Sequence, residues 1–321
     1  MVPDDHERWS GVQFGLMIEP QMGMTYEAIL DLARYAQDRG LDAFARSDHY
    51  SFARVRAPHA TDALATLAGL ARETTRIDLV VLVSPITFRH PAVIAKMAAT
   101  IDEMAGGRLV LGVGTGWNED EHTRFGIPFY DQAERFDRLE EALAYLSHAF
   151  GRLPGPFHGE HYRLEDTEVR PLPVGLRMIV GGGGERRTPR LAGAYADEFN
   201  LMIHDPADIR TRVERAREAA EEAGRDPAAL RISVMAPVIA GRDAAAFAGV
   251  LHRMSEADPM GRDAATLEER YRQRGLPVGT ADEVQANLAA LAEAGVSRLY
   301  LQHFGPFDHD LLDQLFGVLR G

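Results

Sequence analysis

Four consecutive glycines, Gly181-Gly182-Gly183-Gly184, stand between an apolar run, Arg177-Met178-Ile179-Val180, and an arginine-rich stretch, Glu185-Arg186-Arg187-Thr188-Pro189-Arg190. A chain that leaves a strand without side chains and then turns into a helix presents open N–H groups beside the positive end of the helix dipole. Both suit an anion, most often a phosphate. Glycine runs also occur simply where positive φ is needed; the flanking strand, paired arginines and helix favour the anion here. The spacing matches neither the dinucleotide fingerprint nor the P-loop, so the ligand need not be NAD or ATP.

A second group could move protons. In Asp48-His49 the imidazole can exchange a proton near neutral pH, and a neighbouring carboxylate can orient or tune it. The competing reading is an aspartate that caps the next turn and a histidine bonded to backbone. Glu19 is a second acid or a solvated loop carboxylate, and Tyr50 is a further proton donor. Gly114-Thr115-Gly116-Trp117 sets two glycines beside an indole, which leaves room for a flat ligand and supplies a ring to stack on it or wall it off. His158 and His161 read as exposed loop histidines, and no metal site is expected. His122, after Glu119-Asp120-Glu121, reads as part of a solvated acidic helix face.

The elements that must position these residues alternate along the chain. Strands are expected at Val12–Ile18, Leu41–Arg46, Ile77–Val83, Arg108–Val113, Arg177–Val180, Glu198–Met202, Arg231–Ile239 and Ser297–His303, with helical stretches between them. Eight such repeats predict a parallel sheet closed into a (β/α)8 TIM barrel, a single domain over residues 1–321. Two excursions interrupt it. One, at about 151–174, precedes strand five and holds four prolines, three glycines and a hairpin-like patch around Phe157–Tyr162. The other, at about 243–275, follows strand seven and breaks at Asp258-Pro259. Glu19, Asp48-His49, Val83-Ser84, Gly114–Trp117 and the glycine run all fall at strand carboxyl ends, where barrels bind ligands.

Composition narrows the chemistry. The chain has no cysteine, which removes disulfides and thiolate catalysis, and of 35 basic residues only Lys96 is a lysine, which disfavours Schiff-base and phosphate-handling lyase chemistry. A net charge of −13 argues against nucleic acid and anionic membranes. The N-terminal segment Met1–Trp9 is acidic and polar, with no signal peptide or membrane span, so a cytoplasmic protein acting on a small molecule is expected.

Taken in order, the fragments resemble the luciferase-like superfamily of flavin and deazaflavin barrels, and within it the coenzyme F420-dependent oxidoreductases. The residues that carry the resemblance include Ser47-Asp48-His49, Thr87-Phe88-Arg89-His90-Pro91, Gly112 to Glu119, Glu121-His122, Gly126-Ile127-Pro128, Glu134 to Ala142, the glycine run, Tyr195-Ala196-Asp197 and Val278-Gly279-Thr280. The resemblance implies a deazaflavin ring across the barrel mouth, its edge near Asp48-His49 and its face against strands three and four. It implies a non-prolyl cis peptide within Leu82-Val83-Ser84, a cofactor phosphodiester on Gly181–Gly184, and a homodimer. Arg186, Arg187 or Arg190 would meet the phosphate or the acidic tail. The implied activity is hydride transfer between deazaflavin C5 and a small organic substrate, as a reductase, with His49, Glu19 or Tyr50 supplying the proton. The alternatives are an FMN-dependent monooxygenase using O2 and a non-catalytic cofactor-binding barrel. Where the sugar-phosphate dehydrogenase branch has a catalytic glutamate, this chain has Trp117; where that branch has a catalytic tryptophan, this chain has Phe52 and Ala53. Glucose-6-phosphate oxidation is therefore not expected.

Overall fold

Eight short stretches pair side by side, each parallel to its neighbours: β1 (Gln13–Ile18), β2 (Ala43–Arg46), β3 (Asp78–Pro85), β4 (Leu109–Gly114), β5 (Arg177–Gly181), β6 (Glu198–Leu201), β7 (Arg231–Ala236) and β8 (Arg298–His303). The order β1-β8-β7-β6-β5-β4-β3-β2 closes on itself, which is the (β/α)8 barrel. The computed structural model describes residues 12–52, 59–165, 169–258 and 260–320. The N-terminal segment read above, Ala53 and Pro259 lie outside the described residues.

Successive strand side chains point to opposite faces, so each strand feeds two cores. Met17, Ala45, Val80, Leu82, Val110, Ile179, Met235 and Tyr300 fill the barrel interior, while Leu16, Phe44, Val81 and Leu111 pack outward under the helices. The interior is too tight for another side chain on β1, since a Cβ on Gly15 would lie 2.9 Å from Tyr300 Cδ1. Helix starts follow the capping residues. Thr25 Oγ1 accepts from Ala28 N–H at 3.3 Å, and Thr280 with Glu283 forms a capping box at Ala281–Glu293.

Opposite the strand carboxyl ends, charges close the floor. Arg298, 1% exposed, donates to Glu198 at 3.1 Å, to Asp78 at 3.3 Å and to Gln13 at 2.8 Å. Arg177 adds a two-pronged pair to Asp78 at 2.7 and 2.9 Å. Guanidiniums this deep persist because each finds carboxylates, and their place at the amino-terminal face marks them as stability residues.

One departure from the expected elements has a local cause. The run Arg231–Ile239 is not one strand. Pro237 has no N–H for the ladder, so β7 ends at Ala236 and Ile239–Gly241 leaves the barrel to pair in parallel with Val278–Thr280. The second excursion is two helices, Ala244–Glu256 and Ala264–Gln273. Between them the Asp258 carboxylate gathers the backbone N–H groups of Met260 and Arg262.

The first excursion holds the expected hairpin, Phe157–His158 against Arg163–Leu164. Glu141, on the helix Gln132–Ala149, docks its turn by accepting from Glu160, His161 and Tyr162 N–H at 2.7, 2.8 and 3.0 Å. Asp102 then receives the returning chain, accepting from Val174, Gly175 and Leu176 N–H. Among the described residues no helix is long and apolar enough to cross a membrane.

Candidate functional site

The strand carboxyl ends surround a cleft of about 430 Å³. Of the residues singled out in the sequence, Glu19, His49, Val83, Gly114, Thr115, Gly116, Trp117 and Gly181 to Gly184 line it. Its floor is apolar, made by Met17, Leu82 and Met235 from inside the barrel, with Phe136 and Leu139 on the far wall.

One wall depends on β3. The Leu82–Val83 peptide bond is cis, and the register of β3 against β4 shifts between Val81 and Ser84. The bulge presents Val83 to three glycines on the neighbouring strands. A Cβ on Gly112, Gly114 or Gly181 would come within 2.9, 2.8 or 2.8 Å of a Val83 methyl. Gly114 and Gly181 are therefore glycine for packing as well as for ligand access. The tip of the run is different. Gly182, at φ 153°, donates its N–H to Asn200 O at 3.1 Å. The N–H groups of Gly183 and Gly184 have no acceptor among the described residues, and the hydroxyl of Thr188 stands beside them at the start of the helix Arg187–Tyr195.

His49 faces the cleft with its Nδ1 bonded to Glu121 Oε2 at 2.9 Å. Glu121 is 1% exposed and also accepts from the backbone N–H of Ser51 at 2.9 Å and of Tyr50. Burial by itself lowers the His49 pKa. The hydrogen bond and charge of Glu121, with smaller contributions from Glu19 and Asp48, outweigh it and hold the pKa above the ordinary value. With Nδ1 committed to Glu121, the second ring nitrogen is the one left to serve a ligand. Trp117 stands edge-on to the imidazole at 5.5 Å and is 70% exposed at the cleft mouth.

Asp48 makes no hydrogen bond to His49 and reaches it only through its charge. Adjacent strand-end residues point opposite ways, and Asp48, 1% exposed, turns behind the wall. It accepts from Ser84 Oγ at 2.7 Å and from both terminal nitrogens of Arg89, which also binds Asp62. Ser84 is fully buried in the same knot. Asp48 and Ser84 thus brace the site from outside it. Tyr50 also lies outside the cleft, stacked on Phe88 at 4.5 Å, with burial raising its pKa to about 12.

Glu19, 6% exposed, accepts from Gln302 Nε2 on one oxygen at 2.6 Å and from Gln21 Nε2 on the other at 2.8 Å. The arginines after the glycine run are placed elsewhere. Arg187 pairs with Asp137 and Arg190 with Glu140 on the neighbouring helix, while exposed Arg186 does not line the cleft. Lys96 is remote as well, donating to the Arg170 carbonyl. An anion at the tip of the run would meet backbone N–H groups and Thr188 rather than these guanidiniums.

The residue that sequence reading missed is Glu121. The acidic triplet 119–121 reads as solvent-facing, yet Glu121 and His122 are both 1% exposed. His122 Nδ1 donates to Asn118 O at 2.7 Å, and its Nε2 meets Thr87 Oγ1 at 2.7 Å. The available signal was position. The helix Glu119–Phe125 has only seven residues and begins just after β4, so one side of its first turn must face the barrel mouth.

The model of the family described as luciferase-like monooxygenase matches residues 12–298. An F420-dependent glucose-6-phosphate dehydrogenase from Kineococcus radiotolerans is 36% identical over 203 residues, which is 61% of this chain and 59% of the relative. A pyrimidine monooxygenase, RutA, from Allorhizobium ampelinum is 31% identical over 225 residues, 68% of this chain and 59% of the relative. The chain thus spans about three fifths of the length of these curated relatives. The structure of a coenzyme F420-dependent tetrahydromethanopterin reductase from Methanopyrus kandleri superposes with a TM-score of 0.76 at 19% identity, covering 95% of this chain and 97% of that one. That likeness concerns the fold.

Proposed function

The chain belongs to the luciferase-like monooxygenase family, and we propose that it is an F420-dependent oxidoreductase that reduces a C=C, C=N or C=O bond of a small organic substrate. Family relatives carry out oxidoreductase chemistry with either a deazaflavin or a flavin partner. The observation that carries the F420 reading is the His49–Glu121 pair, a half-buried proton donor held by a buried carboxylate on the wall of a cleft whose opposite rim is bare backbone.

The residues present fit a flat, phosphorylated ring system. The bulged Val83, packed on Gly114 and Gly181, gives the cleft an apolar wall, Met17, Leu82 and Met235 supply an apolar floor, and the N–H groups of Gly183 and Gly184 with Thr188 would form an anion cradle. When bound, the reduced deazaflavin supplies a hydride. His49 supplies the proton that completes the reduction, and the carboxylate of Glu121 keeps the imidazole protonated and fixed in orientation. A positioned acid of this kind contributes about 10²–10⁴-fold. The apolar floor and walls would orient the ring and substrate against each other.

Titration of the purified protein with oxidised F420 and with FMN, followed by fluorescence, tests the cofactor. Saturable F420 binding, with His49→Ala lowering anaerobic turnover by about 10²-fold or more, is the expected result. Tight binding of FMN alone would replace this reading with an O2-using monooxygenase. Unchanged turnover in His49→Ala would remove His49 as the donor.

A further inference from the structure

A second cavity, of about 290 Å³, opens on the other side of His49. Glu19, His49, Trp117, Asn118 and Gln302 line both cavities, so the two spaces adjoin along this shared lining. The second cavity adds Gln21, Ser51, Met22, Phe52 and Phe304, and the last three with Trp117 make most of its body apolar and largely aromatic.

The polar part of this shared lining is asymmetric. On the β1 and β8 side it offers acceptors. Each Glu19 oxygen takes one donor, from Gln302 or Gln21, and a carboxylate has about four lone-pair sites. Gln21 is spent on both ends, since its carbonyl accepts from Ser47 Oγ at 2.9 Å. Gln302 gives its amide nitrogen to Glu19, and its carbonyl has no donor among the described residues. On the β2 side it offers the His49 ring nitrogen not engaged by Glu121, as a donor, and the buried Ser51 hydroxyl, which has no partner among the described residues.

A ligand that satisfies this wall needs a hydrogen-bond donor toward Glu19 and Gln302 and an acceptor toward His49. The two must lie on one compact, apolar frame. The nearly buried Glu19 carboxylate disfavours an anion in the same place. We infer that the substrate is a small uncharged ring carrying an N–H or O–H beside a carbonyl or imine, that it occupies the second cavity, and that Glu19 and Gln302 read its donor. This rests on the F420 reading of the larger cleft. It assigns Glu19 to recognition rather than to proton delivery.

Matched, unreactive probes test the inference on the full-length protein by calorimetry or saturation-transfer NMR, with and without oxidised F420. Succinimide carries the donor and acceptor, N-methylsuccinimide lacks the donor, and succinamate is the anion. A donor to a charged acceptor contributes about 1.5–3 kcal/mol, so succinimide is expected to bind about tenfold or more tightly than N-methylsuccinimide, with succinamate weakest. Gln302→Met and Glu19→Gln should each shrink that preference. Met22→Trp, which fills the cavity, should abolish succinimide binding while F420 titrates normally. Equal affinity for the two imides, a preference for succinamate, or succinimide binding that survives Met22→Trp would each overturn the inference. Failure of F420 to bind, with the imide preference and its loss in Met22→Trp intact, would refute the cofactor proposal and support the assignment of the cavity.

Discussion

Replacing Glu121 with glutamine isolates what the buried carboxylate does for His49. One Glu121 oxygen accepts from the Tyr50 and Ser51 N–H groups and the other from His49 Nδ1 at 2.9 Å. An amide of the same shape keeps its oxygen on the two backbone donors. Its NH2 then faces Nδ1, which must become an acceptor, and the ring is held neutral. The wild-type contact is a hydrogen bond between charged groups, contributing about 1.5–3 kcal/mol; full Coulombic attraction at this distance and an effective dielectric near 20 sets a ceiling of about 6 kcal/mol.

Because the folded-state pKa of His49 is raised above 6.5, the stabilisation from its charged form is fully present below that pH. It is lost as pH rises through the folded value. Turnover that needs the imidazolium follows the same limb. Glu121→Gln should move the alkaline limb of the pH–kcat profile to lower pH and reduce kcat by about 10–100-fold at pH 8, with a smaller loss in acid. The His49 ring resonance, assigned by its absence in His49→Ala, should titrate lower in step. A His49 titration and pH–kcat profile identical to wild type would show that Glu121 is only structural.

Three further outcomes are expected. Asp48→Asn strips Arg89 of a buried charge partner and should lower unfolding stability by about 3 kcal/mol in urea, while moving the alkaline limb of the pH profile less than Glu121→Gln does; a shift as large as that of Glu121→Gln would return Asp48 to the proton path. Gly184→Ala would drive its Cβ into Thr188 Oγ1 at the anion cradle, so F420 affinity measured by fluorescence should fall at least about tenfold with little change in melting temperature. Arg298→Ala leaves Glu198 and Asp78 without their shared cation and should cost about 3–5 kcal/mol of stability, read by denaturant unfolding, with F420 affinity unchanged in the folded fraction.

Much of the architecture was legible in the chain because it depends on local periodicity. Apolar runs such as Ile77–Val83 alternate with capped amphipathic helices, and eight such repeats have few ways to bury their faces other than a closed barrel. The same reading put Glu19, His49, Trp117 and the glycine run at strand ends, and the closed barrel carries all of them to one rim. The strand break at Pro237 was legible too in principle, since a missing N–H is a local property.

Partnership was not local. His49 is held by Glu121, 72 residues away, and not by adjacent Asp48, because neighbouring strand residues face opposite sides of the wall and only the closed barrel sets the helix after β4 against the end of β2. For the same reason Arg187 and Arg190, close after the glycine run in sequence, are spent on Asp137 and Glu140 of the preceding helix Gln132–Ala149. Residue types and strand ends follow from the order of amino acids; which charge meets which depends on distances that exist only once the eight strands have closed.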